Sequence, residues 1–441
     1  MRSILTFLLF LSFINASAQD EYNSDSIDYK TQKLIDNKKW NDLIKYGERA
    51  LHNQVESYLL RTRLGIAYFA VKNYFKAIPN FEKALSISSD PQTSEYLYYS
   101  YLFTGRDEDK NYIFYDLPKG LRKKLKPLEN SIVDNIHAGY VKGYSNDIEK
   151  NAGLDLQVIN SDFGEQTLNG DYNIFRIGLS QLPLRFLNVT YNYIYKKESK
   201  EKQIQSKELK ITDKYFQYHD QFYNSFDIRI ANGLAISIAG HYISIKDSTY
   251  YPDYNNFSFA DIPKKENISK NFVLSFNAAK YFSIFNIGIN GSFSYLNNKH
   301  QSQYGLYFKS FPFSMVSFYA LTNLILHKQQ NISNLIVTQL FGGRVKKLLY
   351  EAYLSYGRMN NYNEQNGFLI YDDPDIIKYK FGAELKYNFS NNLSAYFSYD
   401  FQYRERDYVI LNPFNLKNQI RENKKANYNI SSLLIGLNFI F

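Results

Sequence analysis

The stretch NYNISSLLIGLNFIF, residues 427–441, has the pattern of a strand and ends without a polar tail. Successive side chains of a strand point to opposite faces. Five apolar residues therefore share one face, namely Leu433, Ile435, Leu437, Phe439 and Phe441. The other face mixes small, polar and apolar residues. The pattern predicts a wall strand with lipid outside and a packed or wet interior inside.

The same alternation recurs upstream, with apolar and aromatic residues on one face and charged or polar residues on the other. It is seen at 186–196, 222–230, 234–244, 271–279, 284–295, 303–311, 314–326, 332–341, 347–357, 377–389 and 393–404. Short turns alternate with longer polar loops, which are expected at 197–213, 246–270, 297–302, 358–375 and 405–425. This rhythm predicts an antiparallel transmembrane β-barrel of about 14 strands. A soluble sheet facing water is the alternative.

The strand count is least certain in residues 134–180. Three segments there alternate, at 136–145, 154–161 and 172–180. Because single-chain bacterial barrels have an even number of strands, only two of the three are expected to span. We expect the first and third to span and the middle one to lie in an outer loop.

The amino-terminal third has helical rather than alternating character. Residues 34–51 align with residues 68–85 at an offset of 34 residues. The pattern resembles the tetratricopeptide repeat, a helix-turn-helix unit with this period. The residues that carry the resemblance, and that are expected to pack the two helices together, are Leu64, Gly65, Tyr68, Ala77, Phe81 and Ala84. The resemblance implies a helical solenoid, here with two and a half repeats, that docks a partner. A spacer is the alternative.

The amino terminus reads as a cleavable secretory signal. Arg2 precedes an apolar run, and small residues lie at Ala16 and Ala18. The run is short for a transmembrane anchor. The expected domain organisation is a signal peptide at 1–18, a periplasmic helical repeat domain at 19–117, a basic linker at 118–133 and an outer-membrane barrel at 134–441. The basic linker is either a collar at lipid headgroups or a solvated face.

The chain contains no cysteine, so it has neither disulfides nor thiolate chemistry. Its net charge of +9 comes from scattered Lys and Arg, and an exported chain seldom meets nucleic acid, so no nucleic-acid partner is expected. His219 and His241 could act as the general base of a hydrolase, with Ser225 or Ser237 as its nucleophile. No nucleophile motif or metal-ligand spacing accompanies them. We therefore expect no enzyme activity, no cofactor and no metal.

Alternation predicts which charged side chains face the barrel lumen. They are Asp227, Arg229, Glu351, Lys378, Lys380, Glu384, Lys386, Asp400 and Arg404. If residues 389–391 form the hairpin turn, Lys380 lies opposite Asp400. These charges either pair across the lumen or form a selectivity lining for an anionic or polar passenger.

Helical repeats followed by a barrel resemble the exopolysaccharide export porins and the smaller YaiO-like barrels. The resemblance implies a channel or exporter for a polar polymer or solute, whose repeats dock a periplasmic protein or polysaccharide. A non-conducting structural or adhesion protein is the alternative. The segment 408–420 is apolar at its centre, so it either plugs the lumen or forms an outer binding surface. A final aromatic residue resembles the signal read by the barrel-assembly machinery, which implies that role for Phe441.

Overall fold

The computed structural model describes residues 24–125, 133–156, 163–206, 210–250, 264–313, 316–390, 392–412 and 420–441. They form two compact units, one of helices together with the short segments Tyr281–Phe285 and Phe311–Val316, and one of strands. The expected signal peptide lies outside the described residues. Within the described ranges, every helix is too short or too polar to cross a membrane.

Residues 24–125 form a series of seven helices. They are α1 Ser24–Asp36, α2 Trp40–His52, α3 Tyr58–Ala70, α4 Tyr74–Ile87, α5 Pro91–Thr104, α6 Asp107–Phe114 and α7 Lys119–Leu125. Local signals set their ends: Ser57 accepts a hydrogen bond from Leu60 N at 3.1 Å, and Asp90 accepts one from Thr93 N at 2.7 Å. Gly105 ends α5 in the left-handed region at φ 69°. Part of the expected linker is helical, since α7 begins at Lys119.

A close contact between α3 and α4 organises the helical core. The structure buries Leu64, Gly65 and Tyr68 on α3, and Ala77, Phe81 and Ala84 on α4. A Cβ atom at Gly65 would lie 2.4 Å from the ring of Phe81. Only glycine therefore allows this ring to lie against the α3 backbone.

Replacing Gly65 with valine should lower the stability of the helical unit by about 1–3 kcal/mol, because the new side chain overlaps Phe81. The loss should appear as an earlier melting of the 222 nm circular dichroism signal of the full-length protein. Gly120→Val is the matched control, since Gly120 lies in α7 with no neighbouring atom within 4 Å of an added Cβ. Equal melting of the two variants would contradict the packing role.

The second unit is a closed barrel of 14 antiparallel strands, as predicted. The barrel strands are β1 Asn135–Ser145, β2 Phe163–Leu184, β3 Leu187–Ser206, β4 Lys210–Ala231, β5 Leu234–Tyr250, β6 Lys264–Tyr281, β7 Phe285–Leu296, β8 Lys299–Ser310, β9 Tyr319–Gln329, β10 Ile332–Val345, β11 Leu348–Met359, β14 Ile376–Asn388, β15 Leu393–Asn412 and β16 Ile420–Ile440. Two short strands, β12 Tyr362–Glu364 and β13 Leu369–Tyr371, pair only with each other. A short helix, α8 Asp147–Asn151, follows β1.

The last strand closes the barrel against the first, with Ile440 opposite Asn135. The amide of Phe441 donates to the carbonyl of Asp134 at 3.0 Å. The predicted outward face of β16 is confirmed, because Leu433, Ile435, Leu437 and Phe439 are all exposed. Of the three alternating segments in 134–180, the first and third form β1 and β2 as expected. The middle one lies partly outside the described residues.

Five connections of two to four residues lie at one end of the barrel, which we call the turn end. It includes the connections 185–186, 232–233, 282–284, 346–347 and 389–392. At the opposite end, the loop end, several of the expected loops are shorter than predicted. The expected loop at 197–213 is mostly strand, because β3 and β4 continue as a hydrogen-bonded ladder beyond the alternating segments. The expected loop at 297–302 is a two-residue turn, with both Asn297 and Asn298 at positive φ.

Inward-facing tyrosines lie over glycines on neighbouring strands. Tyr172 faces Gly143, Tyr319 faces Gly342, Tyr353 faces Gly382 and Tyr396 faces Gly436 in the strand register. A Cβ atom on Gly436 would lie 2.1 Å from the ring of Tyr396. Each ring thus fills the space that the glycine leaves, so the inner wall is packed although it carries many small residues. We call these contacts the tyrosine-glycine pairs.

Candidate functional site: a hairpin across the lumen

Residues 360–375 fold into the barrel interior, and we call them the lumenal hairpin. They contain β12 and β13, where Tyr362 lies opposite Tyr371 and Glu364 opposite Leu369. Within the described residues, these two strands form a sheet of their own, separate from the barrel sheet. The hairpin is therefore attached to the wall through side chains rather than through a strand ladder.

The tip of the hairpin reaches strands β4, β5 and β6. The carbonyl of Gly367 accepts a hydrogen bond from His241 Nδ1 at 2.8 Å, and the carbonyl of Asn366 accepts one from Ser275. The ring of Phe368 packs edge-on against Tyr223 at 5.1 Å. Gly367 has φ 78°, which glycine adopts without strain, so the chain can reverse here.

The first arm of the hairpin contacts strands β7, β8 and β9. Asn363 Nδ2 donates to Ser292 Oγ at 3.0 Å, and the Asn363 carbonyl accepts from Gln303 Nε2 at 3.0 Å. Asn361 Nδ2 donates to Gln329 Oε1 at 3.1 Å. Tyr362 is fully buried in a small apolar cluster with Ile325, Ile336, Met359 and Ile377. Amide contacts thus hold this arm around one apolar anchor.

The acidic residues of the hairpin contact β2, β14, β15 and β16. Glu364, at the end of the first arm, forms an ion pair with Lys380, whose Nζ also donates to Tyr371 Oη of the second arm at 2.8 Å. Asp373 Oδ2 lies 2.8 Å from Arg404 Nη1. Asp375 Oδ2 accepts from Asn169 Nδ2 at 2.9 Å and from Tyr428 Oη at 2.7 Å. Because the first arm contacts the opposite strands, the hairpin crosses the lumen from wall to wall.

Two of the predicted lumen charges bind the hairpin directly. Lys380 is 2% exposed and Arg404 is also buried. The expected pairing of Lys380 with Asp400 is wrong, because Lys380 lies opposite Gln402 and Asp400 lies opposite Gly382. The turn between β14 and β15 is longer at 389–392 than the three residues assumed, which changes the register. Asp400 instead accepts hydrogen bonds from Tyr353 and, at 2.7 Å, from Gln402.

Other predicted lumen residues lie elsewhere along the wall. The expectation for Lys378 is wrong, because the ladder shifts between Ile377 and Tyr379. The Lys378 ammonium lies 2.9 Å from Glu405. Glu405 lies between the inward-facing Arg404 and Arg406 in β15, so its side chain, and Lys378 with it, lies on the outer face. Glu351 lies opposite Glu384 and accepts a hydrogen bond from Tyr319. Asp227 accepts from Asn188 at 3.3 Å, whereas Arg229 bonds to Asn232 at the turn end. Lys386 lies opposite Tyr396.

The two histidines that could act as a general base, His219 and His241, do not contact Ser225 or Ser237. His241 bonds to the lumenal hairpin, and His219 Nε2 lies 3.1 Å from Gln217 Oε1. Ser225 lies opposite Ala239 and Ser237 opposite Asp227. In the part of the chain that the structure describes, no group of three His, Asp or Glu side chains is arranged to hold a metal ion.

Sequence comparison finds no match among protein-family models and none among curated proteins. Among solved structures, the chain is similar to a Pseudomonas aeruginosa FadL homologue, with 9% identity, a TM-score of 0.42 and coverage of 70% of this chain and 90% of that chain. It is similar to the KdgM porin at 12% identity and a TM-score of 0.29, covering 52% and 97%. A bacterial polysaccharide outer membrane secretin gives 10% identity and a TM-score of 0.32, covering 69% and 98%. At these scores the likeness assigns neither ligand nor function to this chain.

Proposed function

We propose that this chain is an outer-membrane channel for a polar polymer or solute, closed at rest by the lumenal hairpin. A closed barrel is one of the two structures that satisfy every backbone hydrogen bond within a bilayer. Its exposed outer face is apolar, as lipid contact requires, with residues such as Phe175, Phe272 and Ile435. Its inner face carries Asn, Gln, Ser and charged side chains.

The observation that carries the proposal is the separate sheet of the lumenal hairpin. A hairpin that shared the ladder of the wall would be part of the barrel. This hairpin pairs with itself and meets the wall through side chains, many of them polar. Water can replace such polar contacts when the hairpin withdraws, so opening leaves few groups unsatisfied. The lumen would then offer a polar path between the two ends.

The remaining parts fit this role as proposals. The helical unit, which resembles a tetratricopeptide array, would lie in the periplasm and dock a periplasmic protein or polysaccharide. Phe441 would serve as the signal for the barrel-assembly machinery. One observation favours the alternative of a non-conducting structural or adhesion protein, namely that contacts hold both arms and the tip of the hairpin. Whether the hairpin moves decides between the two.

A disulfide between the hairpin and the wall tests the proposal, and the natural chain has no cysteine to interfere. Asn363 and Ser292 have side chains in contact at 3.0 Å, so cysteines at both positions place one thiol on the first arm and one on the wall, and mass spectrometry measures how completely they bridge. In planar bilayers, the oxidised Asn363→Cys, Ser292→Cys protein should show no openings, and a reductant should restore those of the wild type. The two single variants are the controls.

Two results would contradict the channel. If the wild-type protein shows no openings over the whole voltage range before and after reductant, the non-conducting alternative holds. If openings persist in a protein whose disulfide is complete by mass spectrometry, the conducting path does not require movement of the first arm.

A further inference from the structure

The lumenal hairpin has a one-sided charge. Its sequence NNYNEQNGFLIYDDPD contains four carboxylates, Glu364, Asp372, Asp373 and Asp375, and no Lys or Arg. The negative charges of these carboxylates repel one another unless cations lie close to them. The wall against which these carboxylates lie should therefore carry the complementary charge.

That wall is basic. Lys380 and Arg404 form the ion pairs with Glu364 and Asp373, and both are buried beneath the hairpin. Lys200 and Lys196 share a single wall carboxylate, with their ammonium groups 3.6 Å and 2.8 Å from Glu198 Oε2. Lys200 also interacts electrostatically with Asp373 and Asp375.

Withdrawal of the hairpin would leave this wall with uncompensated positive charge. Arg404 would lose Asp373, Lys380 would keep only its electrostatic interaction with Asp400, and Lys196 and Lys200 would have Glu198 between them, so four cations would face two carboxylates. Nearer the turn end the lumen charges are mixed, since Glu384 lies opposite Glu351 and also interacts with Arg176 and Lys386. An excess of positive charge is thus found on the surface that the carboxylates of the hairpin cover.

We propose that this surface, which we call the basic wall, binds the carboxylates of an anionic passenger and that the lumenal hairpin occupies it as an internal competitor. This inference rests on the proposed channel and names the class of its passenger, a polymer or solute carrying carboxylate groups. The hairpin already shows the geometry, because an Arg guanidinium and a Lys ammonium each hold a carboxylate at hydrogen-bonding distance. A carboxylated passenger entering the lumen would displace Glu364 and Asp373 by binding Lys380 and Arg404 in their place.

The test uses a protein in which Gly-Ser-Gly replaces residues 362–373, which we call the shortened-loop protein. The ends can be joined, because Asn361 N donates to the carbonyl of Asp373 at 3.2 Å. Folding is checked by heat-modifiable mobility on gels. Under a KCl gradient in planar bilayers, the reversal potential should show a preference for anions. Polygalacturonate should block the current at concentrations at least about tenfold lower than neutral dextran of matched size, which corresponds to the free energy of one charged contact.

The matched control adds Lys380→Gln and Arg404→Gln to the shortened-loop protein. It should conduct similarly but lose the anion preference and the selective block by polygalacturonate. A folded shortened-loop protein that does not conduct would overturn the proposed channel and this inference with it. One that conducts without anion preference, or is blocked equally by both polymers, would overturn the inference and leave the channel intact.

Discussion

The shortened-loop protein should show a time-averaged conductance at least about tenfold above that of the wild type, since removal of the hairpin abolishes the closed state rather than biasing it. The replaced residues carry the tip contacts to His241 and Ser275, the ion pairs to Lys380 and Arg404, and the Tyr362 anchor. Single-channel recording in planar bilayers measures the change.

Gln365→Ala is the control for this prediction, because Gln365 lies at the hairpin tip with an exposed side chain. It should leave the conductance at the wild-type value. If the folded shortened-loop protein conducts no more than the wild type does, the lumenal hairpin is not the gate.

Lys380→Met should also open the channel, by leaving Glu364 buried without its cation. Removing one partner of a buried ion pair costs roughly 3 kcal/mol at the low end of the known range, and the low end applies here because the lumen admits water. That cost falls on the closed state alone, since an open hairpin exposes Glu364 to solvent. The ratio of open to closed protein should therefore rise by about a hundredfold.

Two matched variants make this prediction specific. Lys386→Met removes the same charge from the same face of β14, yet Lys386 has no ion pair among the described residues, so openings should change little. Lys380→Met with Glu364→Leu removes both partners of the pair and should restore closure. If Lys380→Met behaves like Lys386→Met, the ion pair does not hold the hairpin.

The sequence predicted the barrel because lipid-facing strands repeat one simple rule. Alternation in β16 and β14 marks the outward residues, and the spacing of short connections marks the turn end. The helix boundaries at Ser57, Asp90 and Gly105 follow from local capping, which the sequence also displays. These features depend on neighbours close in the chain or on a repeated solvent, so no long-range contact is needed to infer them.

The lumenal hairpin was missed because a loop outside the strands was assumed to face water. A signal for it exists, since QNGF has an Asn-Gly turn flanked by Tyr362, Leu369 and Tyr371. Such apolar residues are out of place in a solvated loop. The segment 408–420, which is expected either to plug the lumen or to form an outer binding surface, belongs in part to the ladder of β15 and β16, which pair as far as Asn412 and Ile420. Its residues 413–419 lie outside the described ranges.

The register of Lys380 and the face of Lys378 also escaped sequence analysis. Both depend on one or two residues, either in the length of the turn at 389–392 or in the shift beside Ile377. A change of one residue exchanges the two faces of a strand. Charged residues near such irregularities are therefore the least predictable part of the lumen.

The tyrosine-glycine pairs affect the stability of the barrel wall when the lumenal hairpin leaves the lumen. The rings of Tyr396 and Tyr353 fill the space above Gly436 and Gly382 on the neighbouring strands. A slip of one residue would place a side chain with a Cβ atom under each ring, so these pairs favour a single register. They belong to the wall alone and therefore act in the same way with the lumen filled or empty.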